Sequence, residues 1–324
     1  MSKGLKIVYM GTPEFAVAPL EILINNGYYV SAVITAPDKQ AGRGLKVQES
    51  PVKKYALLNG LRILQPAKLK DQNFLDELKS IQPDLQIVVA FRMLPATVWK
   101  LPSLGTFNLH ASLLPQYRGA APINWAIING EEKTGVTTFF INEEIDTGSI
   151  IMASEIPILP TETAGELHDR LMMLGSEVVL KTVQSIENNT FESKPQQQLT
   201  LNLSELKSAP KIFKEDCRIN WNQNTEKVFN FIRGLSPYPS AFTELLSPEG
   251  QIHHIKVFRS SFENTTHEFE SGKVITDSKT HLSIAVTDGF IHLQEVQLSA
   301  KNKMSIDAFL RGFPVNNNWS TTSI

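Results

Sequence analysis

Two polar residues, Asn108 and His110, are candidates for catalysis. They lie in a short run that predicts a strand ending just after them. Residues two apart on a strand share one face, so the amide and the imidazole lie side by side. This pair suits acyl transfer, because a fixed donor stabilises the oxyanion that forms when a carbonyl is attacked. An imidazole, with a reference pKa of about 6.5, takes up or donates protons near neutral pH. Taken alone, such a pair is more often structural, with Asn108 capping a turn and His110 hydrogen-bonded in the core.

The loop that follows His110 is too apolar for an ordinary surface turn. Apolar loop residues beside a histidine at a strand end are typical of the wall of a pocket for a flat ligand. This favours the catalytic interpretation over the structural one. The loop residues are Ser112, Leu113, Leu114 and Pro115, followed by Arg118 and Gly119.

A carboxylate that could assist His110 follows the strand predicted over residues 135–141. If that strand is parallel to the strand of His110, both carboxyl ends lie at the same edge of the sheet. An acid there could hydrogen-bond the imidazole, raise its pKa and fix its orientation. Asp146 is one candidate, although it also suits an Asx turn before Gly148. Glu143 and Glu144 are equally available, and the residue pattern does not choose among the three acids.

Strands that alternate with helices must position these residues. The run from Asp84 to Ala90 is almost unbroken in apolar character, as in a strand buried on both faces of a parallel sheet. Alternating strands and helices indicate right-handed βαβ units. The sequence therefore predicts an α/β fold with a doubly wound, mostly parallel sheet, and a long helix from about Thr163 to Ile186. The predicted strands are 5–10, 28–35, 84–90, 106–109 and 135–141.

The last third of the chain has a different pattern. Residues 190–208 are polar and lack periodicity, which predicts a linker. A helix over 225–233 then precedes several short β runs with polar turns, a pattern that predicts a small OB-like β-barrel. The tail from Asn316 is expected to be frayed. The predicted organisation is a catalytic domain over 1–189, a linker over 190–208 and a C-terminal barrel domain over 209–324.

Length and composition indicate a globular protein of two domains. The chain has 324 residues, of which 42% are hydrophobic and 20% charged, and its net charge is −2. This length favours two globular domains. Cys217 is the single cysteine, which excludes an internal disulfide and a cysteine metal cluster. No apolar run approaches the roughly 20 residues of a membrane helix, and the first apolar run is too short for a signal peptide. A cytoplasmic location is expected.

The candidate site residues together resemble the signature of the folate-dependent formyltransferase family. The resemblance implies a Rossmann-like catalytic domain and 10-formyltetrahydrofolate as formyl donor, with no metal. It also implies an Asn/His/Asp catalytic set in which Asp146, and not Glu143 or Glu144, is the acid. Folate binding is implied for the loop Ser112–Pro115, and the segment 91–95 resembles the lining of the family's pterin pocket. The matching residues are Asn108, His110, Ser112-Leu113-Leu114-Pro115, Arg118-Gly119 and Asp146-Thr147-Gly148.

Further motifs are similar to those of family members that formylate initiator methionyl-tRNA. They imply a tRNA partner, with Arg43 in the basic loop 36–46 as the contact to the acceptor stem. A monomer that does not bind a membrane is expected. Composition alone favours a solvated loop there. Cys217 stands where the family usually has glycine, and the segment 91–95 is one residue shorter than usual. The matching segments are 11–16, 37–44, 50–53, 209–216, 232–239 and 304–313.

Other functions remain open at this point. An amino-sugar nucleotide as formyl acceptor is the main alternative, and glycinamide ribonucleotide is disfavoured because enzymes acting on it lack the barrel domain. A non-catalytic RNA-binding protein is a different class, against which the intact set Asn108, His110 and Asp146 argues. A nicotinamide dehydrogenase is disfavoured, since no Gly-x-Gly-x-x-Gly follows the first strand.

Overall fold

The fold is described from a computed structural model, which describes residues 3–41, 46–199 and 205–322. The chain forms two compact units that interleave along the sequence. The first consists of Met1–Gly119, Thr134–Ile156 and His168–Ser208, and the second of Ala120–Lys133, Pro157–Leu167 and Ala209–Ile324. The sequence-based bounds of 1–189, 190–208 and 209–324 are consecutive and stay a prediction.

A seven-stranded sheet forms the centre of the first unit, in the order β10-β9-β7-β6-β1-β2-β5. β1 pairs in parallel with β2 and β6, β2 with β5, and β6 with β7. β7 pairs with β9 in the antiparallel direction. The predicted mostly parallel, doubly wound sheet is confirmed. The strands up to this point in the chain are β1 (Lys3–Gly11), β2 (Tyr28–Ile34), β3 (Lys39–Ala41), β4 (Lys46–Gln48), β5 (Ile63–Leu64), β6 (Leu85–Val89), β7 (Thr106–His110), β8 (Arg118–Gly119), β9 (Lys133–Phe140) and β10 (Ile150–Pro157).

Helices cover this sheet because its strands are apolar on both faces. Val8 and Met10 of β1 belong to a core cluster with Phe74 and Leu78, whereas the alternate residues of β1 face the other way. That cluster includes one face of the helix over residues 72–81, which begins at the cap Asp71. The helices in this part of the chain are α1 (Val17–Asn25), α2 (Pro51–Leu58), α3 (Gln72–Ile81), α4 (Ala96–Trp99), α5 (Pro122–Ile128) and α6 (Ala164–Glu187), of which α5 belongs to the second unit. Within the described ranges, the helices are too short or too polar to cross a membrane.

The antiparallel direction of β9 corrects the reasoning that placed an acid near His110. His110 pairs with Thr137, near the middle of β9, and Phe107 pairs with Phe140 at its carboxyl end. The end of β9 therefore lies beside the start of β7, and not at the edge where His110 lies. The crossover rule failed because α5, the helix between the two strands, belongs to the second unit.

Part of the predicted linker is packed within the first unit. The backbone groups of Ile150 and Lys194 exchange two hydrogen bonds of 2.8 Å each. Gln196 is completely buried, although it lies in a run of three glutamines whose other members are exposed. The composition of residues 190–208 gave no indication of this packing.

The second unit is an antiparallel barrel, as predicted. Its strand order is β14-β15-β16-β13-β12-β18, and β17 pairs with β16. A bridge between Lys273 and Ser320 joins the two ends of this order, so the barrel is nearly closed. The elements in the rest of the chain are β11 (Ser208–Ala209), α7 (Thr225–Gly234), β12 (Ala241–Leu246), β13 (Ile252–Asn264), β14 (Val274–Thr276), β15 (Leu282–Val286), β16 (Gly289–Leu298), β17 (Met304–Ser305), α8 (Ile306–Gly312) and β18 (Ser320–Thr321).

Residues 316–322 of the C-terminal tail are packed, so the prediction of a frayed tail from Asn316 was wrong for these residues. Trp319 is only 7% exposed and belongs to the core of the barrel. β18 pairs with the end of β12, where Leu245 faces Thr321. A polar run of asparagines suggested fraying, but one buried indole and a short strand suffice to fix the segment.

Candidate active site

Asn108 and His110 lie where the sequence predicted them, on β7 at the carboxyl end of the sheet. Both side chains project to the same face of the strand. The residue between them, Leu109, packs closely on Gly175 of α6, where a Cβ would lie 2.8 Å from a leucine methyl. This close contact fixes β7 against the long helix. The strand that carries the two polar side chains is therefore tightly packed against α6.

One ring nitrogen of His110 is committed to the protein backbone. Its Nε2 lies 2.8 Å from the carbonyl oxygen of Tyr117. A carbonyl can only accept, so Nε2 carries the proton and donates. In the neutral ring the free lone pair is then on Nδ1. The imidazole is 7% exposed, and this single hydrogen bond fixes both its tautomer and its orientation.

Asp146 lies beside the other ring nitrogen. Its Oδ2 is 3.8 Å from Nδ1 of His110, which is an ion-pair distance and too long for a direct hydrogen bond. The same oxygen accepts a 3.0 Å hydrogen bond from the backbone N–H of Gly119. The structure therefore brings Asp146 to His110, although by a different route from the one that the sequence suggested.

The loop between β9 and β10 brings Asp146 back to His110. Asp146 has a φ of 55°, in the left-handed region. Gly148 packs directly on β9, where a Cβ would lie 1.6 Å from the carbonyl oxygen of Phe140. Only glycine allows this approach. The other two acids of the loop point away: Glu144 is exposed, and Glu143 pairs with Lys100 at 3.1 Å.

The Asn108 amide is available to a ligand. In the part of the chain that the structure describes, no residue forms a hydrogen bond with its side chain, which is partly exposed. An amide group that a buried strand holds without an internal partner is suited to binding an oxygen of a substrate. Asn108, His110 and Asp146 together offer a donor, a base and a carboxylate at one place.

The loop predicted to bind folate is built by internal hydrogen bonds. Ser112 is fully buried and its hydroxyl donates to the carbonyl of Gln116 at 2.7 Å. The hydroxyl of Thr137 donates to the Ser112 carbonyl and accepts from the Leu114 N–H. Leu114 also packs in a small core cluster. Ser112 and Leu114 thus shape the loop, and Leu113 and Pro115 are the members with partly exposed side chains.

A second feature of the first unit is an open cavity of about 720 Å³ next to the segment that resembles the pterin lining. Leu94 and Pro95 from this segment line it together with Leu69 and Leu75. Arg92 folds back to donate to the carbonyl of Ala67 at 3.0 Å, so its charge is anchored at the rim. The cavity is apolar enough to accept a flat ring.

Arg43, the residue predicted to contact tRNA, lies outside the described residues. Three other residues that shape the site were missed by the sequence reasoning. Tyr117 and Thr137 act through a backbone carbonyl and a loop contact, and neither has a recognisable motif. The third, Gln196, donates to the backbone of the Asp146 loop. Its sequence context does not distinguish it from Gln197 and Gln198.

Comparison with known protein families identifies the class to which this fold and site belong. The model of the formyl transferase family matches residues 5–183, and that of the formyl transferase C-terminal domain matches residues 211–314. The chain belongs to the formyl transferase family. The resemblance seen in the sequence motifs is confirmed.

The curated relatives with high identity to this chain are named methionyl-tRNA formyltransferases. A methionyl-tRNA formyltransferase from Bacteroides thetaiotaomicron is 54% identical over 317 residues, which cover 98% of each chain. A methionyl-tRNA formyltransferase from Flavobacterium johnsoniae is 53% identical over 308 residues, which cover 95% of this chain and 96% of the relative. Identity at this level extends over both units.

Solved structures support the fold. The N-formyltransferase from Helicobacter canadensis, in complex with folinic acid and dTDP-3-aminofucose, is 24% identical with a TM-score of 0.65, over 90% of this chain and 99% of that one. HypX from Aquifex aeolicus, in complex with tetrahydrofolic acid, is 19% identical with a TM-score of 0.63, over 95% of this chain and 47% of that one. At such identities the likeness concerns the fold alone.

Proposed function

We propose that this chain transfers the formyl group of 10-formyltetrahydrofolate to the α-amine of methionine on initiator methionyl-tRNA, in support of translation initiation. The observation that carries the proposal is the arrangement at β7. The Nε2 of His110 is committed to the Tyr117 carbonyl, so the Nδ1 lone pair faces Asp146 next to the available Asn108 amide. The two curated relatives described above are named for this acceptor.

The reaction needs an oxyanion donor and a route for one proton. The amine nitrogen forms a bond to the formyl carbon, and the bond from that carbon to N10 of the folate breaks. The amine loses a proton and N10 gains one, so no further reactant is required. Asn108 is placed to donate to the formyl oxygen as negative charge develops there. Removing one such donor typically costs about 3 kcal/mol in the transition state.

His110 accepts and releases the proton, and Asp146 stabilises the charge on the ring that carries it. A model α-amino group titrates near pH 8, so a base must keep the attacking amine neutral or take its proton as the bond forms. Nδ1 of His110 is the ring nitrogen that can do so, because Nε2 already donates to Tyr117. The imidazolium that results lies beside the carboxylate of Asp146, whose position the Gly119 N–H fixes. The proton then passes to the leaving nitrogen.

The remaining assignments concern binding and location. Folate binding by the loop Ser112, Leu113, Leu114 and Pro115 is supported by its position directly after His110. Arg43 is assigned to the acceptor stem of tRNA because the segment 37–44 is similar to that of family members that formylate initiator methionyl-tRNA. The enzyme acts as a monomer in the cytoplasm, where charged tRNA and reduced folate occur.

A transfer assay with three acceptors tests the proposal. Wild-type protein and 10-formyltetrahydrofolate are incubated with methionyl-initiator tRNA, with an amino-sugar nucleotide or with glycinamide ribonucleotide, and formylated product is quantified. Transfer to the tRNA is expected. Transfer to the sugar nucleotide alone would refute the tRNA assignment.

The Arg43 assignment has its own test in the same assay. Arg43→Ala is expected to raise the KM for tRNA while leaving the affinity for folate unchanged, since only the tRNA contact is lost. Arg62→Ala, a change of an exposed arginine that pairs with Glu77, is the matched control. An equal loss of folate and tRNA affinity in the Arg43 variant would contradict the assignment.

A further inference from the structure

Gln196 is a fully buried amide whose four hydrogen bonds all concern the active-site loops. Its Nε2 donates to the backbone carbonyls of Asp146 and Gly148, at 2.9 Å each. Its Oε1 accepts from Nε and Nη2 of Arg118, at 3.1 and 2.7 Å. The amide thus joins the loop that carries Asp146 to the segment that follows Tyr117.

The orientation of this amide is determined by its partners. A reversed amide would direct its NH₂ group at the guanidinium of Arg118 and its oxygen at two carbonyl oxygens, which would lose every one of the four bonds. In the observed orientation both donors and both lone pairs of the Gln196 side chain are used. Such a completely satisfied buried group specifies one geometry.

That geometry is the one in which Asp146 faces His110. Tyr117 and Asp146 both have positive φ values, of 59° and 55°, and for the bulky Tyr117 this conformation persists only where the surroundings enforce it. Gln196 holds the carbonyl of Asp146 itself, and its partner Arg118 lies directly between Tyr117 and Gly119. Gly119 in turn donates its N–H to the Asp146 carboxylate. The hydrogen bonds of Gln196 to Arg118 and to the Asp146 loop form a bridge between the two segments. This bridge fixes both the backbone of Asp146 and the N–H donor that orients its side chain.

We propose that Gln196 is the positioning residue for Asp146 in the transfer reaction. This inference rests on the proposed function, because it assigns Gln196 a role in that reaction. Gln196 hydrogen-bonds Arg118 and the backbone of the Asp146 loop, and it acts by keeping the carboxylate at its distance from the imidazole. A displacement of about 1 Å in a catalytic group can cost about 100-fold in rate.

Gln196→Glu is the discriminating variant. The carboxylate keeps the contact with Arg118 but has no donor for the carbonyls of Asp146 and Gly148. The side chain therefore stays attached to Arg118, and its hydrogen bonds to the Asp146 loop are lost. We expect kcat to fall by about 10- to 100-fold with KM values within about threefold of wild type. Gln197→Glu, the same change at the exposed neighbouring residue, is the matched control and is expected to leave kcat unchanged.

A double-mutant cycle separates positioning from a merely structural role. If Gln196 acts through Asp146, then Gln196→Glu should cause less than a twofold further loss in an Asp146→Asn background. Additive losses would overturn the proposal. If Gln196→Glu is too unstable to assay, Gln196→Met takes its place in the cycle. Global unfolding of both variants would overturn the proposal as well, because the residue would then be required for the fold.

Hydrogen exchange distinguishes failure of this inference from failure of the proposed function. The backbone N–H of Gly119 is expected to exchange at least tenfold faster in Gln196→Glu than in wild type or in Gln197→Glu, since its acceptor moves. Unchanged exchange would refute the bridge whatever the activity. A wild-type protein that formylates none of the three acceptors would refute the proposed function, and faster exchange at Gly119 would still establish the bridge.

Discussion

Replacing Asp146 by Asn removes the negative charge of the carboxylate and keeps the shape of the side chain. Asn tolerates the left-handed backbone at this position, and its side-chain oxygen can still accept from the Gly119 N–H. The variant therefore loses one negative charge, 3.8 Å from Nδ1 of His110, and little else. Asp146 and His110 are 14% and 7% exposed, so solvent screens the pair only weakly.

The size of the effect follows from Coulomb's law. At 3.8 Å and an effective dielectric constant of about 20, a carboxylate and an imidazolium attract by about 4 kcal/mol. The attraction exists only once His110 has taken up the proton, so it stabilises the transition state and not the free enzyme. A full loss corresponds to about 1000-fold in rate, and we expect kcat to fall by about 100- to 1000-fold.

The assay is formyl transfer at saturating donor and acceptor, with thermal unfolding as a check on the fold. Glu144→Gln removes an exposed acid from the same loop and is the matched control, with an expected change of less than twofold. Asp146→Asn activity within threefold of wild type would refute the charge argument. An equally large loss in Glu144→Gln would show that the wrong acid was chosen.

Two further predictions concern the oxyanion donor and the acid stability of the second unit. Asn108→Ala is expected to lower kcat by about 100-fold with almost no change in melting temperature, because the amide has no hydrogen bond within the described chain; a large loss of stability would contradict this. A hydrogen bond from the Thr163 backbone and the contact with Arg259 lower the pKa of Glu166 from 4.5 to about 2. The stabilisation is therefore present above pH 4.5 and is lost as the pH falls towards 2. Because Glu166 is 48% exposed, the effect is small, and urea unfolding of Glu166→Gln should show a flatter dependence on pH over this interval; equal slopes would contradict it.

The sequence predicted the elements of the fold where hydrophobic periodicity was strong. β2 and β7, predicted over 28–35 and 106–109, are observed over Tyr28–Ile34 and Thr106–His110, and the buried run of β6 was recognised from its unbroken apolar character. Strand direction was not predictable in the same way. The helix before β9 has only seven residues and belongs to the other unit, so the usual parallel crossover does not occur.

The residues that could carry out the chemistry were predictable from the sequence, whereas the residues that hold them in position were not. The spacing of Asn108 and His110 places them on one face of a strand, and this holds in the structure. Asp146 could be chosen from three acids only by resemblance. The group that holds it, Gln196, gives no signal because burial of one glutamine among three depends on tertiary contacts that no local pattern encodes.

The interleaving of the two units has a consequence for synthesis on the ribosome. The chain passes from one unit to the other after residues 119, 133, 156, 167 and 208. All strands of the first unit's sheet have been synthesised once residue 208 is made, whereas the residues on which α5 packs have not. Ile128 packs on the barrel core, which is encoded after residue 209. Until the barrel is made, this apolar helix lacks the core on which Ile128 packs, a state in which association with other nascent chains competes with folding. For the same reason, a gene cut after residue 208 cannot yield the second unit whole, because Ala120–Lys133 and Pro157–Leu167 stay with the first fragment.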